Sequence, residues 1–262
     1  MTRKVHINDI SIKIQMSKKV LFIGDIHGNT EWREMALDGL KNFHEVVFLG
    51  DYLDSSHISP VLQLDNLKAL IAFIRNKPKQ GKITALWGNH DYAYLHAYSS
   101  ISGYQHSQAY IYRDLLDKNR DLFQIAWGNT GDNGKYTLAT HAGLTSTFWN
   151  RHVLPLFEEG GFLYQLTDGK GPDSLPIHET LNYLIDKKEL MWKVGSMRGG
   201  GGTPGPLWAD YRELISDPYP DINQVFGHTA KSSPSVDHFG DYFIACIDSW
   251  ANRKIESMVI SL

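Results

Sequence analysis

An α/β fold built around a mainly parallel sheet is what this sequence predicts, and two patterns carry that expectation. Short apolar runs, each closing on a glycine or running into one, alternate three times with longer stretches whose apolar residues fall at helical spacing. The residues just beyond those apolar runs are Asp, Asn and His. In an open α/β sheet the carboxyl ends of the parallel strands face one crevice, so these side chains are expected to converge there.

Taken in order, residues 5–7 and 10–14 alternate around Asn8-Asp9 and read as a small hairpin. Lys19–Ile23 is an apolar run ending at Gly24, the pattern of a buried strand. Residues 30–41 place Trp32, Met35, Ala36 and Leu40 on one helical face. Residues 45–49 form a second buried strand, again ending in Gly-Asp, and residues 60–76 a helix with Leu64, Leu67, Leu70, Ile71 and Ile74 inward. Lys82–Leu86 is the third strand and runs into Trp87-Gly88-Asn89-His90. Three such alternations imply right-handed crossovers. Residues 92–127, rich in Tyr and His, break the rhythm and read as a helical insertion. Tyr136–Thr140 is a strand leading to His141-Ala142-Gly143, and residues 147–194 are mostly helical around a turn-rich stretch at 168–176. A glycine-rich loop spans residues 195–206, and Asn223–Phe226, 242–247 and 255–260 close the chain as strands. Without repeats or low-complexity tracts, one domain over residues 1–262 is the simplest account.

Composition narrows the partners. The chain has 262 residues, 42% hydrophobic and 21% charged, which is ample for a buried core. A formal charge of −3, with no basic run, implies no general affinity for nucleic acid or anionic membrane. No apolar stretch is long enough to span a bilayer, and the first residues lack the apolar block of a signal peptide. The sole cysteine, Cys246, sits in an apolar run and reads as a core thiol; the compartment expected is reducing and cytoplasmic.

Five segments carry the chemistry: Gly24-Asp25-Ile26-His27-Gly28, Gly50-Asp51-Tyr52-Leu53-Asp54, Gly88-Asn89-His90-Asp91, His141-Ala142-Gly143 and Gly227-His228-Thr229. Each follows a predicted strand. Alone, any of them is weak, since an Asp at a strand end is commonly a cap or turn residue. Together they gather carboxylates, one amide and several imidazoles, a mixed oxygen and nitrogen set that suits first-row transition ions and is poor for Ca²⁺.

These motifs, in this order, resemble the calcineurin-like metallophosphoesterases, and within them the phosphoprotein phosphatase branch with its bacterial and phage serine/threonine phosphatases. The resemblance implies a β-sandwich of two mixed sheets flanked by helices. It also implies two divalent transition ions at the strand ends, with Mn²⁺ first and Fe, Zn or Ni as alternatives. By motif, Asp25 and His27 would bind the first ion, Asp51 would bridge both, and Asn89, His141 and His228 would complete the second. His90 would be the general acid, oriented by Asp54, and a water between the ions the nucleophile.

Two departures are visible. The phosphatase branch usually has Arg-Gly after the second motif, where this chain has Ser55-Ser56, and it usually has Glu where this chain has Asp91. Arg198, in the glycine-rich loop, could swing onto a phosphate in place of the missing arginine, and Arg212 is a second candidate. Tyr92, Tyr94, Tyr98, Trp127 and Trp192 read as packing residues or as a cleft floor, and His57 and His96 lie near site loops. The expected substrate is a phosphomonoester, either a phosphorylated protein or a small phosphoester. Cleavage of dinucleoside polyphosphates, RNA ends or cyclic phosphates by the same site is the alternative enzyme reading, and a silent binding module the reading from another class.

Overall fold

In a computed structural model that describes residues 18–76, 81–249 and 254–262, the sequence forms two five-stranded mixed sheets packed face to face and flanked by helices. Strand β1 (Lys19–Ile23) leads to helix α1 (Trp32–Asn42), β2 (Glu45–Phe48), α2 (Pro60–Arg75) and β3 (Lys82–Leu86). Helices α3 (Asn89–His96) and α4 (Ala109–Lys118) follow, then β4 (Phe123–Gln124), β5 (Ala126–Thr130) and β6 (Tyr136–Thr140). Short helices α5 (Ser146–Phe148), α6 (Phe162–Leu166), α7 (Ile177–Tyr183), α8 (Lys188–Met191) and α9 (Tyr211–Ser216) precede β7 (Asn223–Phe226), β8 (Ser235–Phe239), β9 (Tyr242–Cys246) and β10 (Ser257–Ser261).

The first sheet has the order β10-β1-β2-β3-β4, with β1 through β4 parallel and β10 antiparallel to β1. The second has the order β5-β6-β7-β9-β8, with β6, β7 and β9 parallel and the two edges antiparallel. Strand alternation explains why the central runs are apolar throughout. Val20, Phe22, Val47, Leu49 and Leu86 meet Trp127, Ala139, Val225, Ala245 and Ile247 between the sheets. Leu21, Ile23, Val46, Phe48 and Ala85 face the other way, onto Trp32, Ala36 and Leu40 of α1 and Leu67, Leu70, Ile71 and Ile74 of α2. Buried Glu45 ties the sheets together, accepting from the Thr84 hydroxyl at 2.6 Å and the Trp127 indole at 3.0 Å. Helix α2 starts where its sequence says it should, with Pro60 at the first position and the Ser59 hydroxyl accepting from the Leu62 amide.

The structure corrects several boundaries. The helical part of the insertion begins at Asn89 and ends at Leu122; residues 123–124 and 126–130 are strands, so Trp127 belongs to the core between the sheets and not to a cleft floor. Strand β8 alternates half-buried and exposed residues at a sheet edge, a weak apolar signal that sequence reading passes over. Residues 146–191 are helical only in short pieces. The hairpin expected at residues 5–14 lies outside the described residues.

Candidate metal centre

The loops beyond β1, β2, β3, β6 and β7 are bound to one another by backbone and side-chain hydrogen bonds. The amides of Ile26 and His27 donate to the Asp51 carbonyl at 3.0 and 2.7 Å. The Asp91 carboxylate accepts from the Tyr52 amide at 2.9 Å and the Gly88 amide at 3.3 Å, which braces the second loop against the third. The His228 amide donates to the Asp25 carboxylate, and the Gly227 amide to the His141 carbonyl. Four site residues that are not glycine, His27, Asp51, Asp54 and His228, have φ between 43° and 67°. That left-handed conformation is held only where the surroundings over-determine it, and such residues concentrate at functional sites. Glycine is obligatory at two points of close approach: a Cβ on Gly88 would lie 2.1 Å from Asp51 Oδ1, and one on Gly227 would lie 2.0 Å from Asp25 Oδ1.

The ligand-type atoms of Asp25, His27 and Asp51 all lie within 4.8 Å of one another, and so do those of Asp51, His141 and His228. Asp51 is common to both groups. Asn89 joins the second, its Oδ1 standing 2.8 Å from His141 Nε2 and 3.0 Å from His228 Nδ1. Two of the rings have their orientation fixed from behind: His27 Nδ1–H donates to the Leu53 carbonyl at 2.7 Å and His141 Nδ1–H to the Leu49 carbonyl at 2.8 Å. A ring that donates through Nδ1 keeps the Nε2 lone pair for a metal.

The charges fit cations. Burial pushes His27 down to about 4 and His141 and His228 below their ordinary range, leaving neutral imidazoles with lone pairs to offer. Burial, then Asp248 and Asp51, push the Asp25 carboxyl well up, more than the bond from the His228 amide lowers it. Burial would raise Asp51 too, but the surrounding histidines His141, His90, His27 and His228 hold it well below the usual carboxylate range. The donor set is the oxygen and nitrogen mixture that Mn²⁺, Fe and Zn²⁺ accept.

His90 stands apart from that set. Its Nδ1–H donates to Asp54 Oδ2 at 2.9 Å, and its Nε2 lies 4.0 Å from Asp51 Oδ2. Burial alone would lower its pKa, but Asp51 and the bond to Asp54 carry it up to about 9. Tyr94 is buried, and its hydroxyl donates to the other Asp54 oxygen while accepting from the Gln105 amide at 2.8 Å.

A cavity of about 160 Å³ opens over these groups, lined by Asp25, His27, Asp51, Asn89, His90 and His228. Arg198 closes one side. Its Nη2 donates to Thr229 Oγ1 at 3.0 Å and the His228 carbonyl at 3.3 Å, and its Nε lies 3.2 Å from Asp210 Oδ2, a charge contact without hydrogen-bond alignment. The loop is anchored, since the Met197 amide and the Ser196 hydroxyl both donate to Glu213. Arg198 is therefore held at the rim and does not ride a free hinge. Arg212 is clipped to Asp210 at 2.9 Å with its side chain mostly exposed, away from the cavity. The Ser55 hydroxyl is occupied, accepting from the His57 and Ile58 amides, and Ser56 and His57 are exposed. His96 packs on Tyr92 and Tyr98.

Sequence reading missed Ile101 and Ser102 of the insertion, Trp208, Ala230 and Asp248, which also line the cavity. Asp248 carried a usable signal: like Asp25 and Asp51 it stands just beyond an apolar strand, although Ile247 and not a glycine precedes it.

The description "calcineurin-like phosphoesterase" matches residues 18–248 of the chain. Two structures of a cold-active protein tyrosine phosphatase superpose with TM-scores of 0.55 and 0.54, at 18% and 19% identity, over 94% of this chain and 76% and 74% of theirs. A serine/threonine phosphatase from Saccharomyces cerevisiae aligns over 89% of this chain and 68% of its own at 14% identity, with a TM-score of 0.42. For the two tyrosine phosphatase structures, at such identities, the likeness is one of fold. No curated protein sequence matches. The family match takes in β1 through β9 and all five strand-end loops, and the chain belongs to the calcineurin-like phosphoesterases, metal-dependent hydrolases of phosphoesters.

Proposed function

We propose that the protein hydrolyses phosphomonoesters, with Asp25, His27 and Asp51 holding one divalent transition ion and Asp51, Asn89, His141 and His228 a second. The observation that carries this reading is the sharing of Asp51 between two ligand groups, with His90 Nε2 directed at the same carboxylate from the cavity side. Two ions at such a site lower the pKa of a bound water and offset charge on the transferring phosphoryl group.

The chain's own residues supply the rest. His90 carries its Nδ1 proton toward Asp54, so the proton it can give away is on Nε2, which faces the cavity. As water attacks phosphorus and the bond to the leaving oxygen breaks, that oxygen takes the Nε2 proton and departs as an alcohol. Solvent then restores His90. Arg198, which lines the cavity, presents a fixed guanidinium to phosphoryl oxygens that Ser55 and Ser56 do not reach. The cavity of about 160 Å³, bordered by Ile101, Ser102 and Trp208, favours a phosphoryl group on a slim arm, such as a small phosphoester or a phosphorylated side chain.

The test is turnover of the Mn²⁺-loaded protein on p-nitrophenyl phosphate and on the matching diester. The monoester should be the faster, because two cations and an arginine interact more strongly with a dianion. Faster turnover of the diester would move the function to a nuclease or cyclic phosphodiesterase.

A further inference from the structure

We propose that Tyr94 is a positioning residue for proton delivery, and that it ties the loop at residues 97–108 to the acid that the loop covers. The inference rests on His90 acting as the acid. Asp54 has two oxygens, and each accepts one proton-bearing group: Oδ2 takes His90 Nδ1–H and Oδ1 takes the Tyr94 hydroxyl. With only the first bond, the carboxylate could rotate about its χ2 axis and the imidazole would follow it. The second bond removes that freedom, so His90 Nε2 stays aimed at the position of the leaving oxygen. Orientation of this kind is what an outer partner contributes to a catalytic group.

Tyr94 is itself fixed on three sides. It stacks on Tyr104 at 4.4 Å, meets the edge of Tyr112 at 5.1 Å, and its oxygen accepts from the Gln105 amide. Tyr104 and Gln105 belong to the same loop as Ile101 and Ser102, which line the cavity. One hydroxyl therefore connects the cavity wall to the acid. Tyr112, from the same aromatic cluster, spends its hydroxyl on the Pro60 carbonyl at 2.7 Å and touches no site residue through it. It provides the control for loss of a buried hydroxyl.

The experiment compares Tyr94→Phe, Tyr112→Phe and His90→Asn on two substrates of the Mn²⁺-loaded protein. The nitrophenolate of p-nitrophenyl phosphate leaves without help, whereas the alkoxide of glycerol 2-phosphate needs a proton. Tyr94→Phe should lose about tenfold to a hundredfold in kcat on glycerol 2-phosphate and stay within about threefold on p-nitrophenyl phosphate, with unchanged metal content. Tyr112→Phe should show no such selectivity. Equal losses of Tyr94→Phe on both substrates would overturn the inference in favour of packing alone. No loss on either, while His90→Asn is selective, would overturn it and leave the acid in place. If His90→Asn is itself unselective, the reading of His90 as the acid fails, and the role of Tyr94 with it.

Discussion

Side chains at this centre are separable by what they touch. His90 and Asn89 are neighbours in sequence, yet Asn89 Oδ1 faces His141 and His228 while His90 faces Asp54. His90→Asn should lower kcat on alkyl phosphates by about 10²–10⁴-fold with metal content intact. Asn89→Ala should instead weaken one metal equivalent, read by isothermal titration with Mn²⁺, because it withdraws a donor from the His141 and His228 group only. A similar division applies to the two arginines that share Asp210. Arg198→Ala removes a charged contact worth about 1.5–3 kcal/mol, roughly ten- to a hundredfold in kcat/KM for monoesters. Arg212→Ala, at an exposed pair, should stay within about twofold. Steady-state kinetics on both variants decides which guanidinium serves the phosphate.

Strands and their terminal loops were the legible part of the sequence. Lys19–Ile23, Lys82–Leu86, Tyr136–Thr140 and Asn223–Phe226 are read to the residue, because each is a short run with an apolar centre or end and a motif turn follows it. The five motifs were legible for the same reason: glycine beside Asp or His marks a backbone approaching another backbone. What lies over the centre was not legible. Ile101, Ser102, Ala230 and the bond from Tyr94 to Asp54 depend on how the insertion folds back, and no local period encodes that. The half-exposed edge strand Ser235–Phe239 has too little apolar contrast to stand out. The close approach beyond β7 makes its own prediction. In Gly227→Ala the new methyl would meet Asp25 Oδ1, so the first loop must shift, and elemental analysis should find reduced metal while the far-ultraviolet circular dichroism is unchanged.

For the molecule as a whole, the centre is a store of unrelieved charge that cations would relax. Asp25 and Asp91 are both pushed well above the carboxylate range, by burial first and by neighbouring carboxylates after it. An ion that binds the folded chain alone stabilises it by RT ln(1 + [L]/Kd), about 2.7 kcal/mol at a hundredfold excess over Kd. Differential scanning calorimetry should therefore show a rise of roughly 5–10 °C on adding Mn²⁺ to chelator-treated protein. A flat response would mean that Asp25 and Asp51 do not hold an ion. The sheet order adds a constraint on biosynthesis. Strand β1 leaves the ribosome more than two hundred residues before its antiparallel neighbour β10, and well before His228. At about 5–20 residues per second, β1 waits on the order of ten to fifty seconds for its edge to be covered. For most of that time the nascent chain has Asp25, His27 and Asp51 but neither His228 nor the strand that shields their sheet. It can gather one ligand group and not the other, so a competent centre arises only once His228 has been made.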